Sequence, residues 1–374
     1  MCMLLNRITY HLFLLLSFSI FLSCSEEGPN PMMEDDGDLT HITYSPETYN
    51  IVVPPNFPEL EQPEDNVATT AGVDLGRHLF YDPILSRDST ISCATCHLPQ
   101  GSFTDNKAVS VGIDGSVLTR SSMSLLNVGF YNRGLFWDGR EATIESLSLV
   151  PVTDVHEMDN TWEEVVSRMK LHATYPTMIR KAFGIENKSD ITREHITFAL
   201  SQFQRIMISS GQSKYDRIKA GLDVYSDEEL LGRDLFFDDN PDVPDAECNH
   251  CHSIPLMTAN EFFNNGLDLA PTLTEFKDLG LGAVTGLISD NGKFRAPTLR
   301  NIFFTAPYMH DGRFSTLEDV IEHYNSGGKP SRNKDPLIRP LNLSDEYKQA
   351  LIAFIRTMEE PDFNNRPELQ NPFK

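Results

Sequence analysis

What this sequence is short of narrows the field first. Basic residues are scarce: 31 Lys and Arg stand against 54 Asp and Glu, for a formal net charge of −23. A field of that sign argues against nucleic-acid binding, which needs clustered positive charge. Long apolar runs are almost absent. The run from Leu12 to Leu22 is too short and too close to the start for a comfortable membrane span. Strand-like alternation of apolar and polar residues is scarce, so the fold class expected is mainly α. Cysteine is limited to six residues and tryptophan to two.

Four of those six cysteines fall in one pattern written twice: Cys93-Ala94-Thr95-Cys96-His97 and Cys248-Asn249-His250-Cys251-His252. C-x-x-C-H is the c-type haem attachment site. Two thiols one helical turn apart add to the two vinyl groups of a haem, and the histidine becomes the proximal iron ligand. The competing readings are a zinc half-site and a redox-active C-x-x-C with an accidental histidine. A zinc pair would use all four thiols and leave both histidines unexplained. Two covalently bound haem c groups account for all six residues, with Cys93, Cys96, Cys248 and Cys251 as attachment points and His97 and His252 as iron ligands.

The N-terminus reads as an export signal. After Leu22 come Ser23-Cys24 and the acidic stretch Ser25-Glu26-Glu27-Gly28. A small residue, a cysteine and then polar residues resemble the lipobox of bacterial lipoproteins, which implies a signal peptide over 1–23 and a lipid on Cys24. Cys2 then leaves with the signal, and no pair remains for a disulfide. The implied location is the periplasmic side of the cell envelope, lipid-anchored to the outer membrane, with contact to the membrane through the anchor only. Residues 24–66, rich in Pro, Glu, Asp and Asn, read as a flexible tether.

The rest contains an internal repeat. Leu75-Gly76-Arg77-His78-Leu79-Phe80 precedes Cys93, and Leu231-Gly232-Arg233-Asp234-Leu235-Phe236 precedes Cys248. Two copies of helix, loop and haem motif predict two tandem cytochrome c-like domains, 67–215 and 216–374, with one haem each. Helices are predicted at 71–80, 162–183, 192–209, 226–237, 316–324 and 344–358.

Four further motifs go with these: Asp82-Pro83, Phe136-Trp137-Asp138-Gly139-Arg140, Pro297-Thr298-Leu299-Arg300-Asn301, and Ala306-Pro307-Tyr308-Met309-His310-Asp311-Gly312. From about Ala71 to Asp362 the chain resembles the bacterial dihaem cytochrome c peroxidases, and within them the MauG-like branch. The resemblance implies a peroxidatic haem on His97 and an electron-transfer haem on His252. Members that need reductive activation carry a distal histidine sixteen residues past the first motif histidine. That position is Ile113 here, and no histidine lies between His97 and His156. An open or water-bound sixth position is therefore expected.

The same resemblance assigns roles by spacing. The family's proton-moving glutamate stands twenty residues after the motif tryptophan, which makes Glu157 the catalytic candidate, with Pro151 matching the intervening proline. The family's glutamine ten residues after that tryptophan is Leu147 here. Trp137 is implied as the relay between the haems. At the second haem the distal-ligand position falls on Tyr324, and Met309, His310 and His323 compete with it. A calcium ion is implied between the haems, held by the carbonyls of Thr305 and Pro307 and by Ser121 at the position of an asparagine. A homodimer is the family expectation. The reaction implied is reduction of hydrogen peroxide to water with electrons from a cytochrome c or similar envelope donor, which a strongly acidic surface would attract if basic. The alternatives are a MauG-type peroxide-dependent oxidase that modifies a partner protein, and a dihaem electron-transfer lipoprotein without turnover.

Overall fold

Among residues 36–374, which the computed structural model describes, seven helices of nine residues or more carry the architecture. They are α1 (Thr70–Tyr81), α2 (Trp162–Leu171), α3 (Tyr175–Phe183), α4 (Arg193–Arg205), α5 (Asp227–Phe237), α6 (Leu317–Asn325) and α7 (Asp345–Arg356). The strands that pair here, β1 (Phe262–Phe263) and β2 (Phe294–Arg295), are two residues long and antiparallel. The expected export signal and Cys24 lie outside the described residues. No helix among the described residues is long and apolar enough to cross a membrane.

The helices start where side chains can satisfy the first backbone N–H groups. The Thr69 hydroxyl accepts from Gly72 N at 3.0 Å to open α1. Ser226 with Glu229, and Thr316 with Asp319, form reciprocal capping boxes on α5 and α6. The stretch 162–183, expected as one helix, is two. The chain turns at His172-Ala173-Thr174, where His172 Nδ1 accepts from Thr174 N and Tyr175 N at 3.2 and 3.3 Å. Pro176 then sits in the first turn of α3, where a missing N–H costs nothing.

The tether expected over 24–66 is corrected for its described part. Leu39 and Phe57 are buried, Leu39 N donates to Glu186 O at 2.8 Å, and Tyr49 N donates to Ala68 O at 2.9 Å. Buried Asn66 donates to Glu145 Oε1 at 2.7 Å and Ser201 Oγ at 2.9 Å. Composition alone misleads here. An extended segment can be fixed by a few widely spaced anchors that leave no periodic signal.

The internal repeat has a structural counterpart. α1 packs across α4, and α5 packs across α7. Leu75, Leu79 and Phe80 meet Ile196, Leu200 and Phe203 in one core, while Leu235 and Phe236 meet Leu351, Phe354 and Ile355 in another. Phe363 and Leu369 return from the C-terminus to the first core, and Tyr81 Oη donates to Leu369 O at 2.5 Å. At each crossing the repeat's glycine lets two helices touch. A Cβ on Gly76 would lie 1.9 Å from Ala199 O, and one on Gly232 would lie 1.9 Å from Ala350 O.

Gly232→Ala is therefore expected to destabilise the fold by about 2–3 kcal/mol, because a backbone carbonyl cannot step aside. At an uncrowded helix position the same change would stabilise by about 1 kcal/mol. The sign of the shift in a urea unfolding midpoint decides whether this close approach exists in solution.

Candidate two-haem site

Each C-x-x-C-H motif opens onto its own cavity. Cys93, Cys96 and His97 line the first, together with Leu147, Pro151, Glu157 and Gln204. Cys248, Cys251 and His252 line the second, together with Trp137, Arg295, Met309 and Tyr324. The cavities enclose about 710 and 1660 Å³ free of protein atoms, mouths included. Small-molecule sites span roughly 300–1,000 Å³. The four thiols thus do not converge on one centre, as a shared zinc would require.

The thiols are unpaired. Burial pushes Cys93, Cys248 and Cys251 up to about 12 and Cys96 up to about 11. Redox-active and metal-binding cysteines are instead held low, as thiolates.

Both motif histidines are oriented by backbone carbonyls. His97 Nδ1 lies 2.8 Å from Phe103 O. His252 Nδ1 lies 3.1 Å from Pro297 O and 3.3 Å from Met257 O. A carbonyl only accepts, so each Nδ1 carries the proton and each Nε2 keeps a free lone pair. Burial holds both rings neutral, His252 down to about 4 and His97 below its ordinary value. That is the tautomer and charge state an iron ligand needs. Paired thiols, a neutral histidine with Nε2 free and an apolar cavity together fit a c-type haem at each motif.

The sequence motifs find physical roles around the second cavity. Pro297 supplies the carbonyl that orients His252. Arg300 is fully buried and holds Asp216 through two bonds of 2.8 Å. In the motif around Trp137, Asp138 pairs with Arg120 at 2.6 Å and Arg140 at 3.2 Å, and the Arg140 guanidinium sits 3.5 Å from the Phe136 ring centre. This braced turn presents Trp137 to the cavity, and its indole Nε1 donates to Ser121 O at 2.9 Å. Thr104, adjacent to the Phe103 that orients His97, lines the same cavity as Trp137.

Glu157 is half-buried in the wall of the His97 cavity. Burial first, and Asp154 second, push its carboxyl up to about 7, against the pull of Arg140. Ile113 N donates to Glu157 O at 2.9 Å, so the position expected to lack a distal histidine lies beside this glutamate. His97 is the sole histidine among the described residues that line it, and His156 is exposed.

Tyr324, on α6, lines the second cavity, as do Met309 and His310, while His323 does not. Its oxygen accepts from Asn265 Nδ2 at 3.2 Å, and the same amide reaches Met309 Sδ at 3.5 Å. Burial pushes the phenol up to about 12. His310 is stacked flat on Phe294 with ring centres 3.6 Å apart. Ser121, Thr305 and Pro307 share this cavity wall, but the Ser121 hydroxyl donates to Met309 O at 3.0 Å. These residues offer at most three neutral oxygens, against the six to eight that calcium takes.

Three residues of the cavity walls had no sequence signal pointing to them. Gln204 is buried on α4, donates to Ser148 Oγ at 3.1 Å, and brings an amide to the His97 cavity where Leu147 cannot. Asn265 and Arg295 face the other cavity.

A chain with two such motifs, each built to hold a haem, is of the dihaem c-type class. The di-haem cytochrome c peroxidase family matches over residues 70–223 and 226–366, and the chain belongs to it. The methylamine utilization protein MauG of Methylorubrum extorquens is 34% identical over 310 residues, 82% of this chain and 84% of that protein. The cytochrome c551 peroxidase of Nitrosomonas europaea is 30% identical over 300 residues, 78% and 81% of the two chains. Among solved structures, a MauG-like protein associated with microbial copper homeostasis superposes with a TM-score of 0.78 at 33% identity, over 87% of this chain and 100% of that one.

Proposed function

We propose that this chain is an exported dihaem peroxidase that reduces hydrogen peroxide to water with electrons from a cytochrome c or similar envelope protein. Its two cytochrome c-like domains, 67–215 and 216–374, each hold one haem, and Cys24 carries a lipid anchor to the outer membrane. One observation carries the reading: two equivalent haem motifs face unequal cavities, one with Glu157 in its wall and the other with Tyr324. When bound, each haem supplies an iron able to exchange electrons.

The protein's own groups divide the remaining work. Cys93 and Cys96 anchor the first haem and His97 ligates it from a fixed orientation. Glu157 accepts a proton from one peroxide oxygen and returns it to the other, which a carboxyl poised near 7 does well. The apolar lining of that cavity keeps the exchange from bulk water. Cys248, Cys251, His252 and Tyr324 would hold the second haem, and Trp137, in the wall of the same cavity, would offer an aromatic group for relaying electrons. The net charge of −23 favours a basic electron donor.

A second reading has its own support. Tyr324 in the wall of the second cavity and the likeness to MauG favour a peroxide-dependent oxidase acting on a partner protein. The experiment that separates them mixes the fully oxidised holoprotein with one equivalent of peroxide, follows absorption and EPR spectra, and then adds reduced cytochrome c. A fast spectral change followed by oxidation of two cytochromes per peroxide is expected. A fast change with no cytochrome oxidation selects the MauG-type reading. No change at all removes both and leaves an electron-transfer lipoprotein.

A further inference from the structure

The charges around the His252 cavity do not balance. Among the described residues, three side chains charged at neutral pH line it: Glu247, Arg295 and Arg300. Glu247 pairs with Arg339 at 2.7 Å, and Arg300 with Asp216 at 2.8 Å. The Arg295 guanidinium meets only neutral acceptors: Phe136 O at 3.4 Å, Arg133 O at 3.5 Å, Gly134 O and Asn260 Oδ1. It also stacks on Tyr131 and Phe262, 4.7 and 4.6 Å from the ring centres. Glu261, the carboxylate that acts on it from nearby, is engaged by Arg133 at 3.2 Å and is half-exposed.

Arg295 is only 2% exposed. The other buried arginines among the described residues, Arg205 and Arg300, each hold a carboxylate, at 2.5 and 2.8 Å. A buried cation without an anion is a costly arrangement, and it is tolerated where a counter-charge arrives with a ligand. Four of the five guanidinium N–H groups are used by the acceptors named above, leaving one on Nη1.

We propose that Arg295 binds a carboxylate of the haem attached at Cys248 and Cys251. The inference rests on a haem occupying this cavity. A haem brings two carboxylates, and among the described residues of the cavity wall Arg295 is the charge that no ion pair engages. The assignment has a second consequence. Arg295 N donates to Trp137 O at 3.0 Å, and its Nε reaches Phe136 O. The guanidinium that receives the carboxylate also holds Arg133 O, Gly134 O and Phe136 O, so seating of the second haem is tied to the loop that carries Trp137 through one residue.

The test compares Arg295→Gln and Arg295→Lys with the parent holoprotein, by haem count, potentiometric titration of each haem and resonance Raman spectra of the haem carboxylate bending modes. With the cation gone, Fe(III) over Fe(II) at the second haem is expected to gain about tenfold, a fall of about 59 mV for one electron. The carboxylate mode should shift with it, the first haem should keep its potential, and Arg295→Lys should recover most of the change. Arg295→Gln with two haems and an unaltered second potential overturns the pairing alone. A parent with no haem at Cys248 and Cys251 overturns the two-haem reading with it. If Arg295→Gln does not mature, a crystal structure of the haem-loaded parent decides. A haem carboxylate within about 4 Å of the guanidinium supports the pairing, and both carboxylates farther away sink it.

Discussion

Glu157→Gln is expected to slow the reaction of the oxidised holoprotein with peroxide by about 10²–10⁴-fold, the range commanded by a single positioned acid or base. Glutamine keeps the shape and removes the exchangeable charge. Burial raises the Glu157 carboxyl to about 7, so the proton-accepting carboxylate is the minor form below that pH and the major form above it. The parent rate should therefore climb as pH rises through about 7 and then level off, and the variant should be both slow and flat across the same interval. Stability runs the other way. Because the folded-state value lies above the ordinary carboxyl value of 4.5, the protonated group favours the fold at low pH, and that contribution is lost as pH rises toward 7. Glutamine removes this loss, so the variant should be no less stable than the parent at pH 8. Stopped-flow rates on both sides of pH 7, with an unfolding curve at pH 8, make the check. A variant that reacts as fast as the parent would remove Glu157 from the chemistry.

Glu157 marks the border between what this sequence displays and what it hides. The resemblance to the dihaem peroxidases implied the residue through its distance from Trp137, and the fold sets it in the wall of the cavity that Cys93, Cys96 and His97 also line. The haem motifs and the repeated Leu-Gly-Arg helix were legible because both are local patterns. The cysteines must lie one turn apart, and the glycine must face a crossing helix. Residues that act through tertiary contact left no such trace. Gln204 sits on α4, more than a hundred residues from Cys96, and Arg295 sits on β2, where only the fold shows that neutral acceptors surround its guanidinium. The segment 37–66 was hidden for the same reason. Its anchors, Leu39, Phe57 and Asn66, have no common period, and their partners lie elsewhere in the chain. The break between α2 and α3 is local, made where His172 Nδ1 accepts from Thr174 N and Tyr175 N, a contact that leaves no periodic trace.

Tyr324→Met is expected to raise the midpoint potential of the second haem by about 0.1 V or more, part of the roughly 0.8 V that axial ligands command. The reasoning starts from the free side chain. Burial pushes this phenol up to about 12, so it ionises only where a cation takes the place of its proton. The oxygen so exposed is hard and anionic and favours Fe(III), whereas a thioether is neutral and soft and raises the potential. Asn265 sharpens the test. Its amide donates both to the Tyr324 oxygen, at 3.2 Å, and to the Met309 sulfur, at 3.5 Å, so a second sulfur waits close to the same place. Tyr324→Phe should then behave more like Tyr324→Met than like a vacant site. Tyr324→Phe combined with Met309→Leu should leave the position open, with a high-spin ferric EPR signal that neither single variant gives. An unchanged spectrum in Tyr324→Met would show that the ligand is not Tyr324. An unchanged spectrum on adding Met309→Leu to Tyr324→Phe would show that the sulfur does not reach. If the potential rises as expected while peroxide still reacts at the first haem, Tyr324 governs how strongly oxidising equivalents are held at the second, and the choice between a cytochrome peroxidase and a protein oxidase turns on that one oxygen.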